Sequence, residues 1–482
     1  MTFADYFFIS VLYFWASSTA LSLGIGYYTV YRPVVAGLAT GLILGDPFLG
    51  MSAGAVVNIV YMSFVSTGGS FKGDQCLTAV MAAAWAVVYG FSPAESAVLA
   101  YPFGFLGTLI WKYRLSINSI FVNGYEKEYE RGNNPDISLY DGLYPQLLLY
   151  IMSSAVVAVS FLALNAAGAY AATYYSIIKG FLHGVAMFMV FASVAVLLLS
   201  LNNKKSLLVF AASFAVVLLT DLNTYVVLLF LIFLLLFISN KKIFCINKSD
   251  HKNNNIRKKD LVYSWFIWMN FSHSCYSYGR LQGMAYGHSM KNIFRKLYSR
   301  EQEVSDAVHR HCEFFNTEPN MGTPIHGYIV AMEEEAAMKG ENLDASYIKK
   351  GMMGIAAGLG DSFTQVVLTP LFISTSVMMC LDGKFLAAFL PIAALASCIL
   401  AISFSGWLNG YYQGRESLLE RINLVKNSKV KQYFHLIFPG ILGAAAAKFF
   451  LVQGEASGEN ILLTVLSLAV SVAYAFFKYK RR

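Results

Sequence analysis

Long apolar segments follow one another along this chain almost without pause, and that succession rules out a water-soluble fold. Between residues 34 and 65 the only charged side chain is Asp46, and about 20 apolar residues suffice to cross a bilayer as a helix. Further apolar runs cover 6–31, 76–91, 95–111, 147–175, 181–201, 206–238, 351–381, 385–412, 434–452 and 461–477. Charged residues are 13% of the 482, against about 25% in soluble proteins. So few charges cannot clothe a water-facing surface of this size, so the excess apolar surface faces lipid. Backbone groups in lipid must be satisfied within the segment, which makes these runs helices.

The 34–65 run is longer than one crossing needs, and Gly37, Gly41, Gly45, Pro47, Gly50 and Gly54 interrupt it. That pattern predicts broken or re-entrant helices, tolerated where protein or a water-filled cavity surrounds the backbone. A polar turn, GGSFKGD at 68–74, follows. Residues 112–145 form a polar interruption containing YEKEYER, read as an exposed or interfacial amphipathic helix. Residues 240–260 (NKKIFCINKSDHKNNNIRKKD) are dominated by Lys, Arg and Asn. They read as a cytoplasmic linker by the excess of basic residues on that side. The chain divides there into a membrane domain at 1–239, the linker, and a second membrane domain at 261–482 that opens with amphipathic helices. In the second domain, Val304, Val308, Cys312 and Phe315 recur at helical spacing, placing that helix on or near the membrane surface. The chain ends KYKRR, which argues for a cytoplasmic C-terminus.

The net charge of +8 fits this topology better than nucleic-acid binding, because no basic stripe interleaves with aromatics on a polar domain. The first run has no basic leader and is too long for a signal core, so it reads as a retained helix. The six cysteines have no metal-ligand or redox spacing and read as isolated thiols. No cofactor or metal is expected.

Two groups of strings carry a family resemblance. In the second half FFNTEP at 314–319 is followed by IHGYIVAMEEE at 325–335 and GMMGIAAGLGDS at 351–362. These resemble the IID subunit of mannose-type phosphotransferase permeases. In the first half YRPVVAGLATGLILGD at 31–46 and GAVVNIVYMSFVSTGGSFKGD at 54–74 are similar to the IIC subunit. The resemblance implies an all-α polytopic membrane protein with two related membrane halves, fused as IIC, linker and IID. It also implies a location in the bacterial inner membrane, a homotrimeric assembly and an elevator-like shift of a core domain. The implied function is translocation of a hexose or amino sugar, with phosphorylation by separate phosphorylated IIB and IIA proteins. Three positions depart from the family pattern. Asn58 stands where a Glu or Gln is usual, Gly279 replaces a Glu in YGRLQ at 278–282, and Thr369 replaces an Arg before the later proline.

A sugar gives up water hydrogen bonds on entering the membrane, and carboxylates and amides can replace them in pairs. Polar groups inside apolar segments are costly and therefore candidate functional residues. Those are Asn58, Ser66 and Asp74 near one broken helix, and Asp221 and Asn223 in another. In the second half they are Asn316, Thr317 and Glu318 before Pro319, Glu333 and Glu334 on a helix, and Asp361 with Ser362 in a glycine-rich break. Each also suits a cap or turn. GIAAGLGDS lacks the Gly-Lys-Ser/Thr of a phosphate loop. The histidines, among them His183, His273, His288, His309, His311 and His326, read as structural or interfacial. Two other functions fit the membrane pattern, a receptor that keeps the fold without efficient transport and an ion-coupled transporter. No nucleophile–base pair or metal set suggests a membrane enzyme.

Overall fold

The computed structural model describes residues 1–20, 22–63, 73–201, 203–220, 246, 256–341, 343–426 and 429–456. Among them every regular element is helical. The first half contains α1 (Phe3–Ser17), α2 (Pro33–Leu44), α3 (Pro47–Tyr61), α4 (Gln75–Tyr89), α5 (Pro93–Ala100), α6 (Phe103–Glu130), α7 (Tyr144–Thr173), α8 (Tyr175–Ser200) and α9 (Lys204–Leu219). The second contains α10 (Lys258–Phe271), α11 (Gly283–Leu297), α12 (Glu301–His311), α13 (Thr323–Lys339), α14 (Ser346–Gly360), α15 (Thr369–Leu381), α16 (Phe389–Gln413), α17 (Arg415–Lys426) and α18 (Lys429–Ala456).

Among the described residues four helical stretches are long and apolar enough to cross a membrane: Ser138–Thr173, Tyr175–Ser200, Ser346–Leu381 and Phe389–Gln413. The 34–65 run does break. Gly45 ends α2 in the left-handed region at φ 105°. Asp46 then caps α3 by accepting from the Leu49 amide at 2.9 Å, with Pro47 at the first helical position. At 12 and 15 residues, α2 and α3 are each shorter than a full crossing. They pack as an antiparallel pair through glycine. A Cβ on Gly54 would overlap the Pro33 carbonyl, and one on Gly37 would overlap the Gly50 carbonyl. Small residues bring the backbones together in this way where lipid offers no hydrophobic drive.

Several segments differ from the sequence expectation. The 95–111 run divides at Tyr101–Pro102, and α6 continues unbroken from its apolar start through YEKEYE. The glycine-rich 351–362 stretch is helical throughout and passes into a π-helical segment, Asp361–Leu368, before α15. A π segment keeps the helix going while adding a residue to the turn, so no break is needed. On α12, Val304 and Val308 are buried within the protein, so this face packs on side chains instead of lipid. The last residues of the 240–260 segment are helical, since α10 starts at Lys258 and Asp260 caps it through the Arg257 amide at 3.2 Å.

The two halves share their interior. One apolar core draws Met51, Val56 and Trp85 from the first half and Phe372, Ile399 and Phe449 from the second. Another, under the amphipathic helices, gathers Tyr125, Trp268, Tyr286, Phe294, Phe315 and Trp407. Polar contacts also join the halves. On α6, Arg114 donates to the carbonyls of His273 (2.7 Å) and Ser274 (2.8 Å). Asn118 donates to those of Ser274 (3.3 Å) and Tyr276 (2.9 Å). Asp141 accepts from the Cys275 amide at 3.3 Å and pairs with His288 at 2.8 Å. The 273–276 loop is thus held by the first half through its backbone.

Candidate functional site

A cavity of about 150 Å³ opens between the halves. The first half supplies Ser17 at the end of α1, the segment that follows, including Ser18, Tyr27, Tyr28 and Tyr31, and Trp111 of α6. The second supplies His273 and Tyr276 from the gripped loop, the non-helical 316–320 segment, and Asp361 and Gln365 from the π-helical segment.

Pro319 sits in a non-helical stretch between α12 and α13, as its missing amide and its effect on the preceding residue require. Trp268 anchors it by donating to the Pro319 carbonyl at 2.9 Å. Gln282 fixes the neighbouring Thr317, accepting from its amide at 2.9 Å and donating to its carbonyl at 3.0 Å. Glu318 is buried and saturated with neutral donors. One oxygen accepts from the Tyr28 hydroxyl at 3.2 Å and the Asn320 side chain at 2.7 Å. The other accepts from the amides of Asn320 at 3.1 Å and Met321 at 2.6 Å. Gly360 lets the π-helical segment lie against this carboxylate, since a Cβ there would overlap the Glu318 side chain. Asp361 accepts from Gln365 at 3.0 Å, and Asn316 accepts from the Tyr276 hydroxyl at 3.0 Å. Two carboxylates, amides, hydroxyls and aromatic faces in one concavity suit a small polyhydroxylated ligand.

Of the candidates from sequence, the structure brings Asn316, Thr317, Glu318 and Asp361 together in this cavity. Asn58 lies nearby, lining a smaller recess of about 30 Å³ with Arg32, Gln75, Gln365 and Thr369. Its side-chain oxygen accepts from the Val34 amide at 3.0 Å, one of the free donors at the start of α2. Asp74 lies outside both spaces. It caps α4 through the amides of Cys76 (3.0 Å) and Leu77 (2.9 Å) and accepts from Tyr13 at 2.7 Å. Glu333 also lies elsewhere, bound by Arg310 at 2.7 Å, His311 at 2.8 Å and Tyr298 at 3.0 Å. Glu334 accepts from Tyr411 at 2.6 Å, and Ser362 donates back to the Gly358 carbonyl at 2.7 Å. Gly279 is exposed, with open space where a side chain would project. Ser66, Asp221 and Asn223 fall outside the described residues.

Sequence reasoning passed over Trp111, Tyr28, Tyr276 and Gln365 and read His273 as structural or interfacial, yet all five line the cavity. Gln365 had a readable signal, standing four residues after Asp361 on one helical face. His273 had none, because its place depends on contacts with α6 about 160 residues away.

Both halves of the chain match known protein families. Residues 4–237 match the family described as the PTS system sorbose-specific IIC component. Residues 255–459 match the PTS system mannose/fructose/sorbose family IID component. The chain is 29% identical over 205 residues to the fructose permease IID component of Bacillus subtilis (strain 168), covering 42% of this chain and 74% of that protein. It is 32% identical over 152 residues to the mannose-specific EIID component of Escherichia coli (strain K12), covering 31% of this chain and 54% of that protein. A solved structure of the mannose transporter ManYZ in complex with microcin E492 matches at 26% identity and a TM-score of 0.32, over 41% of this chain and 70% of that one. The chain is therefore a member of the mannose-type phosphotransferase permeases, with a IIC and a IID component joined in one polypeptide.

Proposed function

We propose that this chain translocates a hexose or amino sugar across the bacterial cytoplasmic membrane, for phosphorylation by separate IIA and IIB proteins, and works as a homotrimer. One observation carries the reading: the cavity between the IIC and IID halves, where Glu318 is held by donors from both and Asp361 faces the same space. Neither carboxylate has a cationic partner among the described residues. A buried acid without one marks a substrate or ion path in a membrane protein. Asp361, which accepts from Gln365 alone among the described residues, keeps acceptor sites for a sugar's hydroxyl donors, and Glu318 with its four donors fixes the wall beside it. The linker and the C-terminus lie in the cytoplasm in this scheme, within reach of the soluble partners.

The test is uptake of radiolabelled hexoses and amino sugars by cells with and without the chain, each measured with the cognate IIB present and deleted. Uptake that needs both proteins supports the proposal. Uptake that survives loss of IIB and collapses with the ion gradient would replace it with ion-coupled transport.

A further inference from the structure

Beside the sugar cavity lies a cation with no counterion among the described residues. Arg32 is only 8% exposed, and its Nε finds no hydrogen-bond partner. It forms no ion pair among the described residues. Its guanidinium lies 4.6 Å from the centre of the Tyr27 ring, which covers one face and leaves the edge donors unused. The residue also stands at the N-cap of α2 without capping it. Its charge therefore sits at the positive end of the helix dipole, where an anion is favoured and a cation is not. A charge so placed in a membrane protein is retained for a reason outside stability.

Arg32 lines the 30 Å³ recess, together with the neutral side chains of Asn58, Gln75, Gln365 and Thr369. Among the described residues no acidic one lines it. The volume corresponds to about two waters, taking roughly 10–15 Å³ for each, which is the scale of a few oxygen atoms. Tyr27 and Gln365 line both this recess and the main cavity. The acidic side chains, Glu318 and Asp361, line only the main cavity. One space thus favours hydroxyl donors, and its neighbour favours anionic oxygens.

We propose that the recess is a phosphoryl subsite of the sugar site: Arg32 binds the oxygens of a phosphate monoester whose sugar occupies the main cavity. A guanidinium offers two parallel donors to two phosphate oxygens, a geometry that a lysine ammonium does not reproduce. The proposal rests on the main cavity being the sugar site.

The experiment is calorimetric titration of the full-length protein in lipid nanodiscs with mannose, mannose 6-phosphate and inorganic phosphate, for wild type, Arg32→Lys and Arg32→Gln. Wild type is expected to bind mannose 6-phosphate at least tenfold more tightly than mannose. That ratio is expected to fall about threefold in Arg32→Lys and to within twofold of unity in Arg32→Gln. Inorganic phosphate that binds more weakly than mannose 6-phosphate, and competes with it, identifies the ester as the better ligand. Mannose binding without a preference for its phosphate overturns the subsite and leaves the sugar cavity standing. A preference that persists in Arg32→Gln also overturns it. Arg32-dependent binding of mannose 6-phosphate with no binding of mannose upholds the subsite and removes the assignment of the cavity to free sugar.

Discussion

Glu318 and Glu333 are both buried acids in the second half, and their partners separate their roles. Glu333 faces the Arg310 guanidinium and the His311 imidazole. Glu318 faces only hydroxyl, amide and backbone donors. Removing the charge from Glu333 leaves Arg310 without its counterion, a loss of about 3 kcal/mol or more for a buried pair. Glu333→Gln is therefore expected to lower the melting temperature of the purified protein and its amount in the membrane, with uptake per remaining molecule largely kept. Glu318→Gln places a donor among donors. It is expected to cut uptake about 10- to 100-fold, the equivalent of losing roughly 1.5–3 kcal/mol of charged-group hydrogen bonding, with the protein still in the membrane. Normal uptake in Glu318→Gln would show that this acid merely shapes the turn at Pro319. The sequence marks both glutamates as costly and goes no further. The distinction lies in which donors arrive, and Tyr28 reaches Glu318 from 290 residues away.

The α2–α3 pair shows how much an element can reveal before its partners are known. Its glycine spacing and Gly45–Asp46–Pro47 corner are local signals, and the structure follows them. The 351–362 glycines look similar in sequence yet sit in continuous helix. There Gly360 serves the approach to Glu318, a requirement set by another segment. A substitution separates the two uses. Gly54→Val forces α2 and α3 apart where Gly54 meets the Pro33 carbonyl. It is expected to destabilise the protein by about 1–3 kcal/mol or more, seen as a lower melting temperature. Gly354→Val, on α14 with open space around its Cβ position, is expected to shift melting far less. Valine has the higher helix propensity of the two residues, so equal losses from both would mean that the added bulk costs as much at an open position and that the close approach does not set the cost.

At the scale of the whole molecule the halves are tied by charge as well as by apolar packing. Glu126, outside the apolar spans, accepts from His309 at 2.7 Å and Arg280 at 2.7 Å. The His309 hydrogen bond, outweighing burial, holds its carboxyl below the ordinary range. A carboxyl whose folded value is depressed adds stability above its unfolded value, about 4.3, and that stability is lost as pH falls through the folded value. Melting temperature is thus expected to drop between about pH 5 and pH 3, and Glu126→Gln should flatten part of that drop. An unchanged profile in the variant would assign the acid sensitivity to other carboxyls. The cytoplasmic side of the 240–260 segment is an expectation from its charge alone, and most of the segment is outside the described residues. A Ser249→Cys variant in intact cells should resist a membrane-impermeant thiol reagent, and labelling from outside would reverse the topology. The grip on the 273–276 loop has a further meaning for how such permeases evolve. Arg114, Asn118 and Asp141 read carbonyl and amide groups, and every sequence presents those groups alike. The code for pairing is thereby written mostly on the IIC side. Ser274 adds a side-chain tie, to the Asp141 carbonyl and Gln146, whereas His273 and Tyr276 in the cavity wall are held to α6 by their carbonyls, so a IID domain can exchange those two side chains and keep that grip. Substrate range and partner choice are then free to drift separately, in a fused chain or in two.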